Sequence, residues 1–325
     1  MSNNIHYRPW GNLEWLLTKV SITKYSIITC LSTEERCTKT LSICESKSCI
    51  DKIKIFEIID PIDTDIHKSL RKKNLASINP RYQKDIIEIN LLSQIDILIQ
   101  EVKNFIELTN GNVILDISCF PKRFFFPIIK ILLRDNQITS LIITCSTPEE
   151  YAKENLSEDP QPWSHLPLFI PNDPEEKFSS AIVGVGFMPL ALPQLLKDKY
   201  SELPTKFLFP FPPGSPTYQR TWEFVNKINE NVNFDVRNLY RVDAYSVTDA
   251  FDKICSIVET YNRNLLFAPY GPKTISLAMC LYACLTNSAV YYTQPMAYNP
   301  NYSLGVKDCL GYIVKMNSLL LYNIS

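Results

Sequence analysis

Two turns in this chain place lysine where a strand gives way to a helix. The first lies in Asn112–Ser146, which reads as strand, turn, helix and strand, and its turn carries Pro121-Lys122. The second lies in Asn264–Gln294, has the same order, and is centred on Tyr270-Gly271-Pro272-Lys273. Free N–H groups at a helix N-terminus stabilise anions. A lysine at that position interacts unfavourably with the helix dipole, which is a reason to suspect that it serves a ligand. Both turns are therefore candidate anion-binding sites.

The first turn collects small polar and cationic groups. Ser118 follows Asp116 at the strand end, and Lys122 and Arg123 open the helix. We expect Ser118, Lys122 and Arg123 to contact the ligand. Asp116 has an alternative role, because its carboxylate can accept a hydrogen bond from a turn N–H and hold the loop shape.

The second turn is shaped by glycine. Gly271 lets a ligand approach the backbone, and Pro272 sets φ for the first helical turn. A second glycine turn, Gly184 to Met188, offers Gly184 and Gly186 for the same purpose. We expect Gly184, Gly186, Tyr270, Gly271 and Lys273 to belong to a ligand site, and Gly271 to leave its turn more open than Phe120 leaves the first.

Two further stretches contribute candidates. The Pro-rich stretch 210–220 ends in Tyr218-Gln219-Arg220; either Arg220 lines a binding site or the stretch is a structural loop. The exit of the last strand carries Tyr291, Tyr292 and Gln294, which can stack on and hydrogen-bond a base. A buried Tyr291 is the structural alternative.

Metal binding and catalysis have weaker support. Cys37, Cys44 and Cys49 contain no CxxC pair, and His67, beside three acids, is either a metal ligand or a surface histidine. No GxSxG motif, P-loop or GxGxxG occurs, and no acid pair is placed for general acid–base work. We therefore predict no catalytic residues, no metal and no cofactor.

Composition limits the class of protein. The chain has 325 residues, a net charge of −1 and ten cysteines. A balanced charge argues against direct nucleic-acid binding, which needs many phosphate contacts. No apolar run reaches the roughly 20 residues that span a bilayer, and no signal peptide begins the chain. We expect a cytoplasmic protein with reduced thiols and no membrane association.

The order of elements predicts an α/β fold of two tandem, doubly wound Rossmann-like parallel-sheet domains. Apolar strand runs alternate with helical spacing in residues 25–145, and the same order restarts near residue 181. We predict an N-terminal domain with an arm at 1–160, a Pro-rich linker at 161–177 and a C-terminal domain at 178–325. Agreement at five successive elements indicates an internal duplication.

The Asp116-Ile117-Ser118 strand end and the Pro121-Lys122 turn resemble those of CRISPR-associated Rossmann-fold (CARF) domains, and two such modules resemble the fused pair of the SAVED domain. Lys122 and Lys273 take the position of the motif's lysine, while its Thr-Gly-Gly-Thr is absent. The resemblance implies a cyclic oligonucleotide or another nucleotide-like signal as ligand, a role in prokaryotic antiviral defence, and a separate effector protein as partner.

Three interpretations follow. The first is a catalytically silent sensor or adaptor in which two modules face each other and bind a nucleotide-like anion. The second is an enzyme acting on a nucleotide or another phosphorylated metabolite, with Asp116, Lys122 or Lys273 in its chemistry. The third is a structural subunit with degenerate sites. Ligand identity, oligomeric state and the protein partner are not specified by the sequence.

Overall fold

The computed structural model describes residues 7–153, 157–171, 177–190, 192, 202–212, 218–229, 235–260 and 264–324. It divides into two compact units. Unit 1 comprises residues 1–158 and 296–323, and unit 2 comprises residues 159–295 and 324–325.

The strands, in chain order, are β1 (Trp10–Asn12), β2 (Tyr25–Leu31), β3 (Ile50–Ile59), β4 (Ile86–Asn90), β5 (Asn112–Asp116), β6 (Ser140–Ser146), β7 (Glu150–Tyr151), β8 (Ser157–Pro160), β9 (Ser164–His165), β10 (Ser180–Gly184), β11 (Thr205–Phe211), β12 (Leu239–Asp243), β13 (Leu265–Pro269), β14 (Ala289–Tyr292), β15 (Pro295–Tyr298), β16 (Ser303–Leu304), β17 (Cys309–Met316) and β18 (Leu319–Leu320). The described α-helices are α1 (Leu13–Lys19), α2 (Lys39–Ser46), α3 (Asp65–Ala76), α4 (Asp96–Leu108), α5 (Lys122–Arg134), α6 (Tyr218–Asn229), α7 (Val247–Thr260) and α8 (Lys273–Thr286).

The sheet of unit 1 has the strand order β1-β17-β6-β5-β2-β3-β4. Its five strands β2 to β6 are parallel to one another. β2 and β6 are buried along their whole length. Their continuous apolar runs are typical of parallel strands that are covered on both faces. The predicted Rossmann-like arrangement of this half is thus present.

The N-terminal arm packs on unit 1, as expected. β1 pairs antiparallel with β17, and Trp10 stacks on Tyr312 with ring centroids 5.8 Å apart. α1 buries Leu13 and Leu16 against Gly311, where a Cβ atom would lie 2.9 Å from Leu16 Cδ2. Glycine at position 311 therefore makes room for the helix on the strand.

The C-terminal tail differs from the prediction. Residues 178–325 were expected to form one C-terminal domain, but β17 lies beside β6 in the sheet of unit 1. Cys309 pairs with Ser146 and Tyr312 with Ile143 in this antiparallel ladder. The chain returns to unit 1 because β6 would otherwise present an unpaired apolar edge.

The sheet of unit 2 has the order β12-β11-β10-β13-β14-β9. β10 to β14 are parallel neighbours, and β9 adds antiparallel to β14. Part of the predicted linker, Ser164–His165, is therefore a strand of this sheet. The sequence also placed Tyr218 to Arg220 in a loop, whereas these residues begin helix α6.

The two sheets share one connectivity. In each, the five parallel strands, counted along the chain, lie in the order third, second, first, fourth, fifth, and an antiparallel strand lies beside the fifth. Ligands of doubly wound sheets bind beyond the carboxyl ends of the strands, near the first and fourth. Those turns carry the predicted site residues other than Arg220 and Gln294. Within the described part of the chain, no helix has the length and apolar character needed to cross a membrane.

Candidate functional site

The first predicted turn, after β5, is held by Asp116. Asp116 Oδ1 accepts hydrogen bonds from the backbone N–H (2.9 Å) and the hydroxyl of Ser118, and Oδ2 accepts one from the Thr29 hydroxyl (3.4 Å). The Ser118 hydroxyl oxygen accepts the N–H of Ser146 at 2.7 Å. Asp116 and Ser118 thus join β2, β5 and β6, the loop-holding role that the sequence allowed for Asp116.

Burial governs the chemistry of Asp116. The residue is 1% exposed, and burial raises the pKa of its carboxyl group against the opposing effect of the Ser118 hydrogen bonds. Both carboxylate oxygens already accept hydrogen bonds inside the protein. This arrangement suits a structural acid better than a general base, which must reach a substrate proton.

A buried ion pair lies at the same edge of unit 1. Arg36 Nε and Nη2 donate to Glu34 Oε2 at 2.9 and 2.7 Å, and Nη1 donates to the carbonyl of Ser146 at 3.1 Å. The Ser303 hydroxyl also donates to Glu34 Oε2. Burial acts to lower the pKa of Arg36, but the Glu34 carboxylate together with nearby Cys119, Tyr151 and Cys145 outweighs it, and the pKa is raised. The turn after β2 is therefore filled by the protein's own charges.

The start of α5 places the remaining first-turn candidates. Pro121 precedes the helix, Lys122 begins it and is partly exposed, and Phe120 is fully buried against Phe56 at 5.9 Å between ring centroids. Arg123 Nη2 donates to the carbonyl of Ser93 at 3.0 Å, and burial lowers the pKa of this guanidinium. Arg123 anchors the helix to the loop that follows β4.

The glycines of the second turn contact one another's backbones. A Cβ atom at Gly186 would lie 2.0 Å from the carbonyl oxygen of Tyr270, and one at Gly271 would lie 3.0 Å from that of Val185. A Cβ atom at Gly184 would lie 3.3 Å from the backbone nitrogen of Gly271. The space that the sequence assigned to a ligand is used to pack the turn after β10 against the turn after β13.

Tyr270 and Gln294 are also engaged within unit 2. The Tyr270 hydroxyl shares a hydrogen bond of 2.7 Å with the Thr293 hydroxyl, and burial raises its pKa. Gln294 is buried, and its Nε2 donates to the carbonyl of Pro295 at 2.9 Å. Tyr291 stacks on Trp163 with ring centroids 4.1 Å apart, so its ring face is covered by the protein itself.

Lys273 begins α8, directly after Pro272, and is partly exposed. The next residue ties this helix to the turn after β12, because the Thr274 hydroxyl donates to the carbonyl of Ala244. Ala244 N–H in turn donates to the carbonyl of Phe211 at 3.0 Å, at the end of β11. The start of α8 and the ends of β11 and β12 are therefore joined into one edge. Arg220 lies in the first turn of α6, the helix after β11.

Exposed aromatic side chains lie at this edge. They were not predicted from the sequence as a site. Phe211 is 50% exposed, Trp222 47% and Tyr245 37%. Trp222 packs on Phe209, two residues before the end of β11, with ring centroids 4.9 Å apart. The Arg241 guanidinium lies 5.3 Å from the Phe211 ring centroid. We call Phe211, Trp222 and Tyr245 the aromatic surface. Its one signal in the sequence was the position of Phe211 at the end of an apolar strand run.

His67 is neither a metal ligand nor a surface residue. It is buried at the start of α3, where its Nδ1 accepts hydrogen bonds from the backbone N–H (3.3 Å) and the hydroxyl (2.7 Å) of Thr64. An accepting Nδ1 leaves the proton on Nε2, which donates to the carbonyl of Tyr298 at 3.0 Å. His67 is thus a helix cap. The described residues contain no group of three His, Cys, Asp or Glu side chains that could hold a metal ion.

Comparisons with known proteins add little to this geometry. No protein-family model matches the chain, and no curated protein matches it. Among the solved structures that match is a protein of Pseudomonas aeruginosa described as a universal stress protein. It is 12% identical, with 85% of this chain and 94% of that chain covered and a TM-score of 0.24. A similarity at that TM-score carries no argument about function.

Proposed function

We propose that unit 2 binds a nucleotide at the carboxyl edge of its sheet and that the chain is a non-catalytic nucleotide-signal sensor or adaptor. The observation that carries this proposal is the aromatic surface. Phe211, at the end of β11, and Trp222, on α6, are each about half exposed. Large aromatic faces left in water at a strand end suit base stacking, which contributes about 1–3 kcal/mol per base.

Charge at the same edge supports a phosphorylated ligand. Arg241 lies over the face of Phe211, and α8 begins with Lys273. The free N–H groups of the first helical turn favour an anion, and Lys273 adds a positive charge beside them. A stacking surface together with cations matches the two halves of a nucleotide, an aromatic base and a phosphate.

The two units differ in the side chains that their corresponding turns carry. In unit 1, the Glu34–Arg36 ion pair and buried Phe120 fill the turns that correspond to the glycine turn and the lysine turn of unit 2. The shared strand order of the two sheets supports an origin by internal duplication. We infer that one copy kept a ligand site and the other became mainly structural.

The resemblance to CARF and SAVED domains supports placing this sensor in prokaryotic antiphage defence, with a separate effector protein as its partner. Buried Asp116, whose oxygens are both hydrogen-bonded, supports a binding role over catalysis by that acid. The enzyme interpretation would require turnover of a nucleotide pool, which chromatography of the incubated mixture measures.

Isothermal calorimetry with a panel of mononucleotides and cyclic oligonucleotides tests the proposal. We expect one member of the panel to bind the wild-type chain and to bind Lys273→Ala more weakly, because that variant loses a cation at the start of α8. Lys122→Ala is the matched variant in unit 1, and we expect it to bind as the wild type does. If no member of the panel binds the folded wild-type chain, the sensor proposal is wrong.

A further inference from the structure

The end of helix α2 brings two cysteines together. Ser48 adopts a left-handed conformation with φ of 52°, Ser48 N–H donates to the carbonyl of Glu45 at 2.9 Å, and Cys49 N–H donates to that of Cys44 at 3.0 Å. These two bonds define a Schellman motif, which holds the third-last residue of the helix against the second residue beyond its C-cap, Lys47. In this chain those residues are Cys44 and Cys49.

The Cys49 side chain contacts the backbone of Cys44. Its thiol donates a hydrogen bond to the carbonyl oxygen of Cys44 at 3.4 Å. A disulfide requires α-carbons roughly 4.4–6.8 Å apart and β-carbons close together. The backbone hydrogen bond between residues 44 and 49 holds their α-carbons near each other whatever the side chains do. No change of fold is therefore needed to join the sulfurs.

The surroundings make the two thiols unequal. Cys49 is 6% exposed, whereas Cys44 is completely buried. The Cys44 side chain lowers the pKa of Cys49, and nearby Lys24 acts in the same direction. The Cys49 side chain and burial raise the pKa of Cys44. Lys24 Nζ donates to the carbonyl of Ser48 at 2.9 Å, which fixes its ammonium group at the turn. Cys49 therefore has the character of an attacking thiol and Cys44 that of its partner.

We propose that Cys44 and Cys49 form a reversible dithiol–disulfide site that responds to hydrogen peroxide. The Cys49 thiolate attacks one peroxide oxygen, the O–O bond breaks, and the released hydroxide takes up a proton to leave as water. The resulting sulfenic acid is attacked by the Cys44 sulfur, the S–OH bond breaks, and a second water leaves with the proton of Cys44. One peroxide is reduced to two waters while two thiols become one disulfide.

Trypsin makes this bond directly observable, because Lys47 lies between the two cysteines. The full chain is treated with peroxide under native conditions, its remaining thiols are alkylated in denaturant, and it is digested. We expect the peptides Thr40–Lys47 and Ser48–Lys52 to be joined, with the loss of two hydrogens, and to separate on reduction with dithiothreitol.

Cys37 is the matched control. It is buried in the same core cluster as Cys44 and Cys49, and its thiol donates to the carbonyl of Ser32 at 3.7 Å. Burial raises the pKa of Cys37 to about 12. Trypsin releases Cys37 in a separate peptide, Cys37–Lys39. We expect the Cys37 thiol to stay reduced during the peroxide treatment and therefore to be alkylated. We expect the Cys37→Ser variant to form the 44–49 link as the wild type does.

Two results would overturn the proposal, and the wild-type chain alone delivers both. One is the absence of the 44–49 link together with complete alkylation of Cys49, which would mean that peroxide did not oxidise this thiol. The other is a link from Cys37 to Cys44 or Cys49 at equal yield, which indicates scrambling in an opened core. Cys44→Ser adds a positive test: we expect sulfenic acid at Cys49, trapped by dimedone, whereas Cys49→Ser should leave Cys44 unmodified. Circular dichroism of each variant establishes that it is folded.

Discussion

The carbonyl oxygen of Tyr270 occupies the position that any side chain at residue 186 would need. A Cβ atom built on Gly186 lies 2.0 Å from that oxygen and 2.8 Å from the carbonyl carbon. Both atoms belong to the backbone of the turn between β13 and α8, so they cannot rotate away as a side chain would. The contact fixes the turn after β10 against the turn that introduces Lys273.

We expect Gly186→Ala to destabilise unit 2 by about 1–3 kcal/mol, the usual cost of forcing extra volume into a packed site. Gly184→Ala is the matched control. A Cβ atom there would lie 3.3 Å from the flexible Met279 side chain and from the Gly271 nitrogen, so a shift of a few tenths of an ångström accommodates it. Urea unfolding followed by circular dichroism measures both; equal destabilisation of the two variants would contradict the backbone clash.

Arg36 and Glu34 provide a second prediction, for unit 1. Replacing Arg36 with Met leaves the Glu34 carboxylate buried without its cation, and breaking a buried pair in this way costs about 3–5 kcal/mol. We expect Arg36→Met to lose stability in that range. The double variant Glu34→Met, Arg36→Met removes both charges and should recover part of the loss.

A double-mutant cycle of urea-unfolding free energies measures this coupling. The Ser303 hydroxyl and the Ser146 carbonyl remain as partners of the lost groups, so recovery should be incomplete. Additive effects of the two single changes would mean that the ion pair contributes no coupling energy.

The strands were predictable because most of their residues are apolar or β-branched. Tyr25–Leu31 and Ser140–Ser146 are buried at every position, and such apolar runs indicate parallel strands whatever the rest of the chain does. The strand of the tail, Cys309–Met316, was assigned to the wrong half, because its apolar pattern does not encode which sheet edge it will pair with.

The site was less predictable than the fold. Glycine at 184, 186 and 271 indicates a close approach to the backbone, but sequence alone does not distinguish a ligand from another turn. Trp222 was missed because its exposure depends on the packing of α6 over Phe209, a tertiary relation. His67 was misassigned because its cap requires Thr64 and the distant carbonyl of Tyr298 together.

Asp60 gives a prediction about pH. Burial raises the pKa of its carboxyl group to about 6, against the lowering effects of His67 and Arg71, and Asp63 adds to the rise. The native state therefore binds more protons than the unfolded state between about pH 4 and 6, and stability decreases as pH rises through that window.

We expect Asp60→Asn to be more stable than the wild type at pH 7, by at most about 2 kcal/mol, since one pKa unit corresponds to about 1.4 kcal/mol and solvent screens a partly exposed group. The advantage should vanish near pH 4. Unfolding free energies of both proteins across pH 4–7 measure this difference, in which the contributions of the groups that the two proteins share cancel. A difference independent of pH would show that the Asp60 pKa is not raised.

Trp222 offers the most direct test of the aromatic surface. If a base stacks on this ring, Trp222→Ala should weaken nucleotide binding by about 1–3 kcal/mol, while Trp222→Phe, which keeps a ring face, should lose less. Trp15 is the matched control, because it is 52% exposed but belongs to unit 1, whereas the proposed site belongs to unit 2. We expect Trp15→Ala to bind as the wild type does, and nucleotide to quench the fluorescence of Trp15→Ala but not that of Trp222→Phe. Equal affinity of Trp222→Ala and wild type, with both folded, would exclude stacking on this surface.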